Sequence, residues 1–112
     1  MTGADLVVGT LPYMAPEQLR GREIDQRVDI FAFGVTMYET LTGQKPFNGE
    51  SSREVLLHQR NRDQHFAMPR DLNPSIPEDV EQIILKCIEF DADRRYPHIS
   101  YLVAELRKAL YV

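Results

Sequence analysis

Residues Gln26 to Gly43 read QRVDIFAFGVTMYETLTG. Apolar side chains stand at Val28, Ile30, Phe31, Phe33, Val35, Met37, Tyr38 and Leu41, and on a 3.6-residue period they point in every direction around a helix. A helix that is apolar all round belongs in the centre of a protein, with other elements packed against it. Asp25 is placed to cap its first turn. Asp29 puts a carboxylate near its start, where unpaired N–H groups and the helix dipole favour negative charge. Gly43 is the natural stop, and QKPFNGE that follows is a turn-rich connection.

On the N-terminal side lies GTLPYMAPEQLRG, Gly9 to Gly21, in which Pro16 opens a short helix that Gly21 ends. On the C-terminal side, Ser51 with Glu54 three residues later forms a capping-box pattern. SSREVLLHQRNRD therefore reads as a helix with Val55, Leu56 and His58 as candidates to face inward or toward a partner. HFAMPRDLNPSIP carries three of the seven prolines and is expected to be an irregular, surface-hugging loop. Helical spacing returns at Val80, Ile83, Ile84, Cys87 and Ile88, and again at Ile99, Leu102, Val103, Leu106 and Leu110. The one short strand signal is Leu6 to Val8. The expected fold is mainly α, built around one buried central helix.

The composition narrows the function. A chain of 112 residues is at most one ordinary domain, and its 43% hydrophobic content is enough for a modest core. Thirteen basic and seventeen acidic residues give a net charge of −4 without long like-charge runs, which disfavours nucleic acid and anionic membranes as partners. No apolar run approaches the roughly 18 residues that span a bilayer. The single Cys87 excludes an internal disulfide and reads as a small buried apolar group, which fits a reducing, cytoplasmic setting. His58, His65 and His98 lack metal-ligand spacing, and no metal site is expected.

Four pieces in order resemble the eukaryotic-type serine/threonine protein kinases, most closely those of bacteria. GTLPYMAPE resembles the end of a kinase activation segment, closing with the triplet Ala15, Pro16, Glu17. DIFAFG at Asp29 to Gly34 is similar to the start of the family's central buried helix, and LTGQKPFNG to the segment after it. CIEFDADRRYP resembles the late turn before the last helix, with Ala92 where the family commonly has Pro. The resemblance covers only the latter part of a kinase domain: residues 1–17 as the end of the activation segment and 18–112 as the helical part of the C-lobe. The 112 residues contain no Gly-rich phosphate loop, V-A-I-K lysine, H-R-D catalytic loop or D-F-G magnesium site. It follows from the resemblance that the chain starts inside the activation segment. ATP and Mg²⁺ then belong to the full-length kinase, and the chain alone is inactive with no catalytic residue of its own.

The resemblance also assigns sites. Gly9, Thr10, Leu11, Pro12, Tyr13 and Met14 would form the pocket beside the residue that follows the phosphorylated hydroxyl. Thr10 would bond the catalytic Asp; read locally, it is a turn residue bonding its own backbone. Thr10 with Tyr13 resembles serine/threonine rather than tyrosine kinases. Glu17 and Arg95 would pair, holding the activation segment onto the helical lobe, since a guanidinium fork suits a carboxylate. Arg94 competes by sequence, the following Tyr96-Pro97 favours Arg95, and two solvated charges are the plainer alternative. Asp29 would anchor the catalytic loop, and Thr2 would be an activation-loop phosphosite. Implied partners are a protein substrate and the preceding part of the kinase domain. Self-association is also expected, through a central-helix face drawn from Val28, Phe31, Phe33, Val35 and Met37. The alternative function is a non-catalytic, kinase-like protein-binding module.

Overall fold

The computed structural model describes residues 10–111, with backbone only at positions 63 and 65. Thr2, Gly9 and the strand expected at Leu6 to Val8 lie outside the described residues. A 3-10 turn at Leu11–Tyr13 leads into α1 (Pro16–Leu19), α2 (Arg27–Thr42), α3 (Ser52–Arg60), α4 (Arg62–His65), α5 (Pro69–Leu72) and α6 (Glu78–Cys87). A second 3-10 turn, Ala92–Arg94, precedes α7 (Ile99–Tyr111), and no strand occurs among the described residues.

Helix α2 is the axis of the molecule. Its first turn forms under Asp25, whose carboxylate accepts the Arg27 N–H at 2.9 Å while its carbonyl accepts the Val28 N–H. The helix boundary itself falls at Gln26, so Asp25 acts one residue ahead of the capping position expected for it. Gly43 ends the helix in the left-handed region at φ 78°, its N–H bonded to the Glu39 carbonyl, a conformation that favours glycine. Val28, Ile30, Phe31, Val35 and Tyr38 are buried. Phe47 stacks on Phe31 at 5.9 Å between centroids, and Phe66 closes the cluster against Phe47 and Tyr38. Helix α6 lies so close to α2 that a Cβ on Gly34 would sit 2.5 Å from the Cys87 Cβ. Only glycine permits that approach.

Several expectations need correction. The bare central-helix face expected to drive self-association is much smaller than the sequence suggests. Val28, Phe31 and Val35 are sealed within the chain itself, Met37 is half-buried, and only Phe33, 38% exposed, stands out among exposed Asp29, Thr36 and Thr40. On α3 the inward residues are Val55 and Gln59, spaced one turn apart; Leu56 and His58 are half-buried at its edges. The Ser51 hydroxyl accepts the Glu54 N–H at 3.2 Å, but Glu54 returns to the N–H of Glu50 instead of Ser51, so the capping box closes one residue early. The proline-rich stretch is not a surface loop. It holds α5, buries Pro69 and Ile76, and offers the Ala67 carbonyl to the Tyr38 hydroxyl at 2.6 Å. On α7 the apolar stripe is only partly covered: Leu102 is buried, whereas Ile99, Val103 and Leu110 are exposed.

Candidate functional site

The loop from Thr10 to Met14 is built on buried Leu11 and Pro12, which root it in the core, with Tyr13 and Met14 half-buried. The Tyr13 hydroxyl donates to the carboxylate of Glu39 on α2, and the Lys45 ammonium lies 5.7 Å from the Tyr13 ring centroid. The hydrogen bond to Glu39, followed by burial and the Glu39 charge, pushes the phenol above its ordinary value. Met14 is held on both sides of its backbone. Its N–H bonds the Leu11 carbonyl at 3.1 Å, and its carbonyl accepts from Gln59 Nε2 of α3 at 2.8 Å. Thr10 sits half-buried at the head of the 3-10 turn, and its hydroxyl makes no capping bond to that turn.

Glu17 and Arg95 come together across the fold. Arg95 Nη1 donates to Glu17 Oε2 at 2.8 Å and Nη2 to Oε1 at 2.9 Å, the parallel geometry that matches a guanidinium to a carboxylate. Nε reaches the Glu89 carbonyl, and the remaining two N–H groups reach the carbonyls of Arg27 and Phe90. All five donors of a sealed guanidinium are thus satisfied, and its central carbon lies 4.9 Å from the Phe31 ring centroid. Burial pushes the Glu17 carboxyl up, but the Arg95 hydrogen bonds, its backbone N–H and the Arg95 and Arg27 charges outweigh it. The net position is below the ordinary 4.5. Arg94, the competing candidate, is exposed. Arg27 braces the same corner from outside by bonding both Asp25 and Asp93.

Asp29 stands exposed in the first turn of α2, apart from this ion pair. His98 caps α7, accepting the Ser100 N–H at 3.1 Å. Among the described residues no three His, Cys, Asp or Glu side chains are grouped to hold a metal ion. Two contributors escaped the sequence reading. Glu39 could have been noticed as the one charged residue in the second half of an apolar helix, and Gln59 as the residue one turn beyond Val55 on the same face.

The helical architecture around one buried helix, with a loop fastened to it by a buried Glu–Arg pair, is that of a kinase C-lobe. The protein kinase domain model matches residues 2–107, and the chain belongs to that family. Among similar proteins are the tyrosine-protein kinase MasK of Myxococcus xanthus and the serine/threonine-protein kinase PrkC of Bacillus subtilis. MasK is 45% identical over 96 residues, covering 86% of this chain and 15% of that protein. PrkC is 36% identical over 109 residues, covering 97% and 16%. The twitchin kinase region from C. elegans superposes with a TM-score of 0.72 at 28% identity, covering 87% of this chain and 17% of that one. The chain therefore spans about a sixth of the length of these relatives.

Proposed function

We propose that this chain supplies the substrate-facing part of a serine/threonine protein kinase that transfers the γ-phosphate of ATP to a protein hydroxyl, and that it does not turn over alone. The observation that carries the reading is the loop at residues 11–14, held by side chains of two different helices and fastened behind by Glu17 and Arg95. A pre-fixed loop presents a defined surface to an extended peptide without first being ordered. Asp29, on the exposed stripe of α2, would receive the backbone of the catalytic loop. Thr10 would meet the catalytic Asp, Gly9 would complete the pocket, and a phosphate on Thr2 would order the segment through arginines.

ATP and Mg²⁺ do not fit the residues present. The sequence lacks the Gly-rich phosphate loop and the V-A-I-K lysine, and among the described residues no three His, Cys, Asp or Glu side chains are grouped to hold a metal ion. Both would be held by the preceding part of a kinase domain, which is also the partner proposed for the exposed stripe around Phe33. No helix among the described residues is long and apolar enough to cross a membrane. A cytoplasmic setting is proposed from the buried, reduced Cys87.

The similarity to MasK favours a second reading, in which the acceptor is tyrosine. One experiment separates the readings. Residues 10–107 are exchanged for the matching segment of PrkC, and the chimera is incubated with ATP, Mg²⁺ and a generic basic protein, beside the 112-residue chain alone. Phosphoserine and phosphothreonine from the chimera, with none from the chain alone, is the expected result. Phosphotyrosine would favour the second reading. A folded chimera that binds ATP and phosphorylates nothing would overturn the enzymatic reading in favour of a binding module.

A further inference from the structure

We infer that Gln59 is a positioning residue for the substrate loop, carrying the placement of α3 into the backbone of Met14; this rests on the reading of residues 10–14 as the substrate-facing loop. Gln59 is 2% exposed and lies one turn beyond Val55 on the inward face of α3. Its Nε2 donates to the Met14 carbonyl at 2.8 Å. A carbonyl only accepts, so the amide nitrogen has to face it and Oε1 is turned elsewhere. That oxygen is buried with no hydrogen-bond partner among the described residues. A buried acceptor without a partner destabilises a fold, and a leucine or methionine would fill similar volume without one. Packing alone is therefore a poor account of an amide here. The bond to Met14 is a better one.

That bond lands where it controls the loop. Met14 is the residue at which the chain leaves the 3-10 turn in an extended conformation, φ −80° and ψ 138°. Its own N–H is bonded to Leu11, and the next N–H, that of Ala15, is bonded to the Gln18 side chain at 2.9 Å. Gln59 satisfies the carbonyl between them. On the other side, Tyr13 is tied to Glu39 of α2. The loop thus hangs between two helices, from α2 through residue 13 and from α3 through residue 14. Releasing Gln59 frees one side only. The ion pair of Glu17 and Arg95 and the core under Leu11 persist, while the register of Met14 against an incoming peptide is lost.

Two measurements test this. In the 112-residue chain, Gln59→Met should speed hydrogen exchange at the Met14 and Ala15 amides about three- to tenfold, the range of one neutral hydrogen bond, without changing the amides of α6. In the PrkC chimera the same substitution should raise KM for a peptide substrate by a similar factor, moving it more than kcat or the KM for ATP. Gln59→His keeps a ring N–H donor and should hold the peptide KM within about twofold of the unsubstituted chimera. Unchanged exchange at residues 14 and 15, or an unchanged peptide KM in an active Gln59→Met chimera, overturns the positioning role. A folded chimera with Gln59 intact that transfers no phosphate overturns the substrate-loop reading itself, a separate failure.

Discussion

Replacing Glu17 by glutamine keeps its volume and removes its charge. Arg95 then faces a neutral amide, and its side chain has no exposure through which to hydrate, whereas that of Glu17 is 16% exposed. The three carbonyl bonds from Glu89, Arg27 and Phe90 survive, so the loss is specifically that of the counter-charge. Removing one partner of a buried pair costs about 3–5 kcal/mol. A domain of this length holds about 6–17 kcal/mol in all, so the substitution removes a substantial share of its stability. The chain has no tryptophan, which makes far-UV circular dichroism during urea unfolding at neutral pH the suitable assay. The double variant Glu17→Gln/Arg95→Met discards both charges. It should cost less than the two single substitutions together by about 0.5–3 kcal/mol. A cost for Glu17→Gln under about 1 kcal/mol, the value of an exposed pair, would refute the reasoning, as would strict additivity.

The same pair gives the fold an acid limit. Because the Glu17 carboxyl lies below its ordinary 4.5, its contribution is complete above that value and drains as pH falls through the folded value. Urea midpoints should drop more steeply between about pH 5 and about pH 3 for the native chain than for Glu17→Gln, and parallel curves would count against this. Gly34→Ala places a methyl 2.5 Å from the Cys87 Cβ and 2.8 Å from Ile88 Cγ2. The expected loss is about 1–3 kcal/mol despite the better helix propensity of alanine, and an unshifted urea midpoint would show that α2 and α6 separate freely. Burial pushes the Cys87 thiol up to about 12, with Arg95 and Lys86 only weakly opposing it. A thiol reagent at about pH 8 should therefore label the folded chain no faster than it unfolds; rapid labelling of the native chain would contradict the burial.

The central helix and its glycine stop were legible because each rests on chemistry local to its own residues, whereas the pairing of Glu17 with Arg95, 78 positions apart, came only from the family resemblance. An all-round apolar run has one place to go, and a guanidinium fork has few better partners than a carboxylate. What escaped was set by neighbours. Whether Val28 and Phe31 face a bare surface depends on Phe47, Phe66 and α6 arriving from elsewhere in the chain, which no periodicity within α2 reports. Gln59 was missed because its partner is a backbone carbonyl 45 positions away, and a carbonyl leaves no mark in a sequence. The stripe on α7 was read correctly as helical, but how much of it is covered was not written in its spacing. Spacing reports which side chains share a face, and the packing partner alone decides how many of them are covered.

The reach of Arg95 has a consequence for how the chain is made. Glu17 precedes it by 78 positions and Arg27 by 68. Synthesis runs from the N-terminus, so the loop and the whole of α2 leave the ribosome before the residue that fastens them exists. A nascent chain ending between positions 90 and 95 holds the Glu17 carboxylate without its guanidinium, and the carbonyls of Arg27, Glu89 and Phe90 still await the same side chain. One late arginine closes three segments together.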